Sequence, residues 1–289
     1  MIVTVTLNPA LDLTYTVDEL VRHATHRVGA VAERAGGKGL NVANVLHALG
    51  EPVLATGLLG GRTGAHVRTL VDAAGLAGSF VAIGDETRRT VTVVDRADAT
   101  GLWEPGPTVT SAEWSAFAEH YESLMAGASV VVFSGSLPPG LRPDAYAVLI
   151  AAAKRHGVRT VLDTSGEALV HGTAAAPDVV KPNAEEARAI GRTGTLVVSR
   201  GREGLIAYTG EGIFEAAPPE IVEGNPTGAG DACAAAIARG LRDGTPWPAL
   251  LADAAALAAA AVAAPVAGAV DLDEYDRLRK RGPHVQPDR

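Results

Sequence analysis

The stretch Ser129-Val130-Val131-Val132-Phe133-Ser134-Gly135 sets the fold class. From Val130 to Phe133 every side chain is apolar, so both faces of a strand here must be covered. That pattern belongs to a parallel sheet held between two helix layers. Short β-branched runs repeat it at residues 2–7, 53–57, 160–163, 179–181, 196–199 and 205–208. Between them lie longer, alanine-rich segments of helical character at 40–49, 64–74, 112–125, 144–156, 184–190, 231–241 and 248–264. Strand–helix alternation at this spacing predicts a doubly wound α/β fold. Two segments break the rhythm. Residues 12–33 and 87–104 alternate apolar with polar or small side chains, as in Thr90-Val91-Thr92-Val93-Val94, and predict a small extra β-sheet beside the main one. No linker rich in Pro, Gly or Ser divides the chain and no fixed-period repeat is present, so 1–289 reads as one domain. The end, 279–289, is charged, contains proline and is expected to fray.

Composition narrows the function. The 289 residues are 47% hydrophobic and 20% charged, with one cysteine. Apolar content of this order excludes a wholly disordered chain. The single cysteine excludes a disulfide framework and any cysteine-built metal cage, and reads as a reduced, cytoplasmic protein. A net charge of −8 argues against a nucleic-acid partner. It leaves an anionic small substrate open, because a few cations in a pocket decide that. Met1-Ile2-Val3-Thr4-Val5-Thr6-Leu7 has no basic region before its apolar run and reads as a first strand, not a signal peptide. The longest uncharged stretch, between Asp253 and Asp271, is mostly alanine and broken by Pro265 and Gly268. It reads as a close-packed helix, and no membrane association is expected.

Two local motifs carry chemistry. In Asn225-Pro226-Thr227-Gly228-Ala229-Gly230-Asp231 a loop of small residues opens a helix, so unpaired N–H groups and the positive helix end converge. Such a point binds phosphate, with Asp231 as a carboxylate beside it; Asp231 as a plain helix cap is the other reading. In Gly36-Gly37-Lys38-Gly39-Leu40-Asn41 the glycines let a ligand approach the backbone, and Asn41 offers a donor and an acceptor to a polyol. A glycine-rich turn capping the next helix is the alternative. Neither common nucleotide fingerprint is present. Lys38, Lys154, Lys181 and Lys280 all lack the Ser or Thr that follows a P-loop lysine. After the first strand comes Asn8-Pro9-Ala10-Leu11-Asp12 rather than a dinucleotide-binding glycine turn.

Together and in this order, the two motifs resemble those of the ribokinase-like carbohydrate kinases of the phosphofructokinase-B type. Thr6-Leu7-Asn8-Pro9-Ala10-Leu11-Asp12 resembles the opening of the branch containing 1-phosphofructokinase and tagatose-6-phosphate kinase. Ser134-Gly135-Ser136-Leu137-Pro138-Pro139-Gly140 resembles its sugar-side loop, Lys181-Pro182-Asn183-Ala184-Glu185-Glu186 its Asn-x-x-Glu metal motif, and Ser199-Arg200-Gly201-Arg202-Glu203-Gly204 its nucleotide loop. The likeness spans nearly the whole chain. It implies a ribokinase-like three-layer α/β sandwich with a small β-sheet lid formed by the insertions at about 12–33 and 87–104.

The resemblance also implies roles. Asp231 would be the base, and the amides of Gly228, Ala229 and Gly230 would stabilise the transferring phosphoryl group. Asp12, Gly37, Lys38, Asn41 and Ser136 would line the sugar site, with Arg88 and the more loosely aligned Arg27 reaching the substrate's phosphate. Lys181, Asn183, Ser199, Gly201 and Gly204 would lie on the nucleotide side, and Asn183 and Glu186 would hold Mg²⁺ through water. The implied reaction is ATP-dependent phosphorylation of fructose 1-phosphate, tagatose 6-phosphate or fructose 6-phosphate to the bisphosphate. A kinase for an unphosphorylated sugar or nucleoside, or a silent sugar-phosphate sensor, are the alternatives. In such kinases the lid often forms a homodimer contact. Ala236 departs from the family's usual glycine, and the alanine-rich 254–264 region suggests no adenine contact.

Overall fold

The computed structural model describes residues 1–191 and 194–282. The chain opens with β1 (Ile2–Thr6), β2 (Ala10–Thr16), β3 (Ala30–Gly36), α1 (Lys38–Ala48), β4 (Val53–Gly60), α2 (Gly61–Ala73) and β5 (Gly78–Ile83). It continues through β6 (Arg88–Val94), β7 (Ala99–Trp103), α3 (Ser111–Leu124), β8 (Val130–Ser134), α4 (Ala145–Arg155), β9 (Arg159–Asp163), α5 (Gly166–Ala174) and β10 (Val179–Val180). Last come α6 (Ala184–Ile190), β11 (Leu196–Ser199), β12 (Leu205–Tyr208), β13 (Ile213–Ala216), α7 (Ala229–Asp243), α8 (Trp247–Ala263) and α9 (Leu272–Arg281).

A nine-stranded sheet runs β13-β12-β11-β10-β9-β8-β1-β4-β5. All its pairs are parallel except those of β12, which lies antiparallel to both neighbours. β8, apolar from Val130 to Phe133, sits between β9 and β1, fully buried. One layer packs Leu40, Val67, Ile237, Leu251, Tyr275 and their neighbours against the sheet. The opposite layer packs Phe117, Tyr121, Tyr146, Leu149 and Leu169. In α7 and α8 the buried faces are rich in alanine, so the two helices pack closely. Pro265 follows just after α8 stops, as expected of a residue that cannot continue a helix. No helix among the described residues is long and apolar enough to cross a membrane.

A second sheet, β3-β2-β6-β7, comes from the two segments that break the alternation. Its first strand begins two residues before the expected boundary, at Ala10. Four elements were not legible from the pattern: β5, β13, α5 and α9. Residues 279–281, expected to fray, form the last turn of α9, whose Asp271 cap accepts from Glu274 N at 2.9 Å. Residues 283–289 of that segment lie outside the described residues.

Candidate active site

The main-sheet strands β1, β8 and β9 end together, as binding sites of open α/β sheets require, at Thr6, Ser134 and Asp163. Over these ends points the N-terminus of α7. Its cap, Gly228, has φ +93°, and a Cβ there would come within 2.9 Å of Ala267 Cα. Only glycine satisfies both the left-handed backbone and the close approach. The amides of Gly228 and Gly230 donate to no acceptor among the described residues, while Ala229 N turns back to Pro226 O at 3.3 Å. The helix therefore presents two free donors plus its positive end, the local chemistry of an anion site.

Asp231, in the first turn of α7, is buried beside them and accepts a hydrogen bond from Asn41 Nδ2 at 2.9 Å. Asn41 stands on α1, directly after the Gly37 cap. Burial pushes the Asp231 carboxyl up to about 7; the nearby Asp163 charge adds to this, and the Asn41 hydrogen bond, Lys38 and Lys181 oppose it. Such a carboxyl is poised to take up a proton near neutral pH. The cap reading fails on geometry, because Gly228 is the N-cap and makes no side-chain bond.

Beneath Asp231 lies a buried ion pair. Lys181 Nζ is 3.2 Å from Asp163 Oδ2, with side chains 5% and 3% exposed. Burial works against the Lys181 ammonium, but the charge and hydrogen bond of Asp163 together with Cys233 and Asp231 outweigh it and keep the group charged. Lys38 Nζ reaches the other carboxylate oxygen at 3.4 Å and remains 47% exposed. Lys181 thus sits under the helix start, with its Nζ 3.4 Å from the point a Gly230 Cβ would occupy, next to the carboxylate rather than out among the nucleotide-loop residues. Cys233 is a buried core residue whose thiol burial pushes up to about 11.

On the small-sheet side, Asp12 leans over Gly36, where a Cβ would collide with its carboxylate. Thr90 Oγ1 donates to Asp12 Oδ1 at 2.5 Å. Arg88 donates through Nε to Asn8 O at 3.2 Å and through Nη1 to Glu104 O at 3.3 Å. Ser136 Oγ accepts from Asn8 Nδ2 at 3.2 Å, which ties the 134–140 loop to the end of β1. Asn8 thus links Arg88 to Ser136, while Lys38 and Asn41 on α1 are held to Asp163 and Asp231. Arg27 does not join them: it is exposed on the connection between β2 and β3.

The remaining motifs meet at the far side of the strand ends. Asn183 bridges Ser199, and Ser199 N donates to Pro182 O at 3.1 Å. Gly201 opens a single 3₁₀ turn, Gly201–Glu203, and Gly204 closes it against Ala216. Asn183 and Glu186 form a reciprocal capping box: Asn183 Oδ1 accepts from the amides of Glu185 and Glu186, and Glu186 Oε2 accepts from Asn183 N at 2.8 Å. One Glu186 oxygen stays available. Among the described residues no cluster of three acidic, His or Cys side chains could grip a metal directly. The donor set fits an ion that keeps its water shell, as Mg²⁺ does.

Asp163, Thr90 and Asn8 were not singled out as site residues from the sequence. Asp163 had one usable signal, its position as the last residue of a buried parallel strand.

This doubly wound sandwich, with an anion-binding helix start beside a buried carboxylate, defines a ribokinase-like phosphotransferase. Residues 5–273 match the family described as pfkB family carbohydrate kinase, and the chain belongs to that family. It is 33% identical to the tagatose-6-phosphate kinase of Staphylococcus epidermidis, an alignment covering 97% of this chain and 98% of that protein. Phosphofructokinase-2 from Escherichia coli, solved in complex with fructose-6-phosphate, superposes with a TM-score of 0.88 at 26% identity, covering 96% of this chain and 98% of the other. The Arabidopsis thaliana ribokinase solved with ribose and ATP superposes with a TM-score of 0.76 at 20% identity over 96% of this chain and 98% of that one, a likeness of fold.

Proposed function

We propose that the protein transfers the γ-phosphoryl group of ATP to a hydroxyl of a ketohexose phosphate: fructose 1-phosphate, tagatose 6-phosphate or fructose 6-phosphate. The observation that carries this reading is the buried Asp231 carboxylate beside the free amides at the start of α7. Asp231 takes the proton of the acceptor hydroxyl as its oxygen attacks the γ-phosphorus and ADP departs. The amides of Gly228 and Gly230 meet the charge on the phosphoryl oxygens; Ala229, turned toward Pro226, contributes less. Phosphoryl transfer needs alignment and charge stabilisation more than covalent help. Asn41 orients the base and the sugar, Lys181 sits charged beneath the helix start, and Asn183, Ser199, Gly201 and Gly204 bound the nucleotide side. A coupled ADP-release assay over the three phosphates and the matching free sugars tests the whole reading; absence of ADP release with every one would sink it.

The Asp231 environment sets a pH dependence. Because its carboxyl sits near 7 in the free enzyme, kcat/KM should fall about tenfold per pH unit below that value and level off above pH 8. A profile flat from pH 5.5 to 8 would place the base elsewhere.

Mg²⁺, when bound, supplies countercharge for the ATP phosphates. Asn183 and Glu186 would hold it through water, with the free Glu186 oxygen facing the hydrated ion. Glu186→Gln should therefore raise the Mg²⁺ concentration for half-maximal rate by about 10–100-fold. If the titration overlays the parent's, the pair serves only as a helix cap.

The small sheet acts as the lid over the sugar, and as a homodimer contact. Val31 and Leu102 lie on the face of it opposite Asp12, 57% and 61% exposed, apolar side chains that a second copy of the sheet would cover. Sedimentation should show a dimer that Val31→Glu with Leu102→Glu converts to monomer; a monomeric parent at micromolar concentration would dismiss this contact. A cytoplasmic location agrees with the single buried cysteine.

A further inference from the structure

Asp12 has two direct cross-strand partners in the small sheet, Arg34 on β3 and Thr90 on β6. Residues directly opposite in a sheet share a face, so Arg34, Asp12 and Thr90 form one row across it. The next row toward the site is Gly36, Ala10 and Arg88. Arg88, two residues before Thr90, lies on that same face. Two arginines thus flank one carboxylate on the face that carries the sugar-side Asp12.

The charge on this face is unbalanced. The other acids nearby are engaged elsewhere: Glu104 pairs with Arg89 at 2.7 Å and Glu33 with His66 at 2.7 Å. Asp12 already accepts from Thr90 and faces both Arg34 and Arg88 electrostatically. Arg88 places two of its donors on backbone oxygens. Arg34 differs. It is half-buried, yet among the described residues its guanidinium makes no hydrogen bond and no carboxylate lies within ion-pair distance. A partly desolvated guanidinium with unoccupied donors is a planar fork suited to a phosphate's oxygens. Neighbouring strands lie about 4.8 Å apart, so Arg34 and Arg88, two strands from each other, can close around one phosphate from opposite sides.

We propose that Arg34 is a further specificity-determining residue, which binds the phosphate already present on the sugar together with Arg88. This rests on the sugar-phosphate kinase reading above. The competing role is structural, with Arg34 serving only as a distant countercharge that keeps Asp12 ionised. The two separate cleanly, because Asp12 meets the hydroxyls of any sugar, whereas a phosphate ligand matters only for phosphorylated ones.

The test compares parent, Arg34→Ala and Arg34→Lys in kcat and KM for fructose 6-phosphate, tagatose 6-phosphate and fructose 1-phosphate, and for fructose and tagatose. Calorimetric titration of fructose 6-phosphate without ATP runs beside it. Arg34→Ala should raise KM and the Kd of the preferred phosphosugar roughly 10–100-fold, the range of a lost charge-assisted contact, with kcat within about threefold. The ratio of kcat/KM between phosphorylated and free sugar should drop at least about tenfold. Arg34→Lys, which keeps the charge but not the fork, should fall between. An unchanged ratio, whether both substrates suffer equally or neither does, overturns the proposal. If Arg34→Ala does not fold, parent-like affinity in Arg34→Lys overturns it equally. A parent that binds fructose 6-phosphate but never phosphorylates it would sink the kinase reading alone; the Kd comparison would still decide the role of Arg34.

Discussion

Replacing Asp231 by asparagine is expected to cut turnover by about 10²–10⁴-fold, the usual cost of losing a general base, while making the folded protein more stable at alkaline pH. The rate loss follows from the position of the carboxylate, next to the free amides of Gly228 and Gly230. Asparagine fills the same space but cannot take the proton. Sugar-phosphate and ATP affinities should stay within about tenfold, since charge-assisted contacts of roughly 1.5–3 kcal/mol each are made by other residues. The stability gain follows from linkage. The carboxyl is raised from 3.8 to about 7 by burial first and by Asp163 second. Between about pH 4 and 7 the unfolded chain gives up this proton while the folded chain keeps it, so stability declines as pH rises through that window and stays reduced above it. The cost at pH 8 is at most about 4 kcal/mol. Asparagine escapes it, so Tm should rise by roughly 3–8 °C at pH 8 and hardly at all at pH 4. A folded variant with near-parental kcat would remove Asp231 from the chemistry, and a variant with lower Tm at pH 8 would remove the burial cost.

The separation of a legible from an illegible part of this molecule has physical causes. The run Val130–Phe133 was readable because a strand buried on both faces needs apolar residues at every position. The start of α7 was readable because a backbone that must approach a ligand needs small residues in series. Asp163 was not. Its role arises from Lys181, which follows on β10's exit with its ammonium buried against it, and no local pattern announces a pair closed by tertiary packing. Likewise β5 opens on Gly78-Ser79 at the sheet edge and leaves only the short run Phe80–Ile83, mostly half-covered, too brief to set it apart from a loop. In α9 only Tyr275 and Leu278 are buried, among seven charged residues; a two-residue stripe is too narrow to declare a helix, and its capping Asp271 carries the signal instead. The segment Asn183–Glu186 illustrates the reverse case. Its spacing was read through a family motif as a metal site, and the same spacing builds a capping box. The box engages the Asn183 oxygen and one Glu186 oxygen, so the proposed metal role rests on the second Glu186 oxygen.

Phosphorylated ketohexoses should exceed the corresponding free sugars in kcat/KM by at least about a hundredfold, and Arg88→Ala should erase most of that margin. The resemblance places Lys38 at the sugar and Arg88 at its phosphate. Lys38 is held by Asp163, whereas Arg88 is tied to Asn8 O and faces Asp12. On the proposed reading the sugar would direct its reacting hydroxyl to Asp231 and Asn41 and its phosphate to Arg88. Each charge-assisted contact is worth about 1.5–3 kcal/mol, so losing the guanidinium should cost the phosphorylated substrate roughly 10–100-fold, mainly in KM. Free fructose and tagatose, which place nothing there, should change no more than about threefold. Lys38→Met should behave differently, lowering kcat for phosphorylated and free sugars alike, because its charge faces the transferring group. The deciding data are kcat and KM for fructose 1-phosphate, fructose 6-phosphate, tagatose 6-phosphate, fructose, tagatose and ribose in all three proteins. Equal or better turnover of a free sugar by the parent would transfer the assignment to a kinase of unphosphorylated sugars. A loss in Arg88→Ala that falls equally on free and phosphorylated substrates would reduce Arg88 to a strut between β6 and the Asn8 turn.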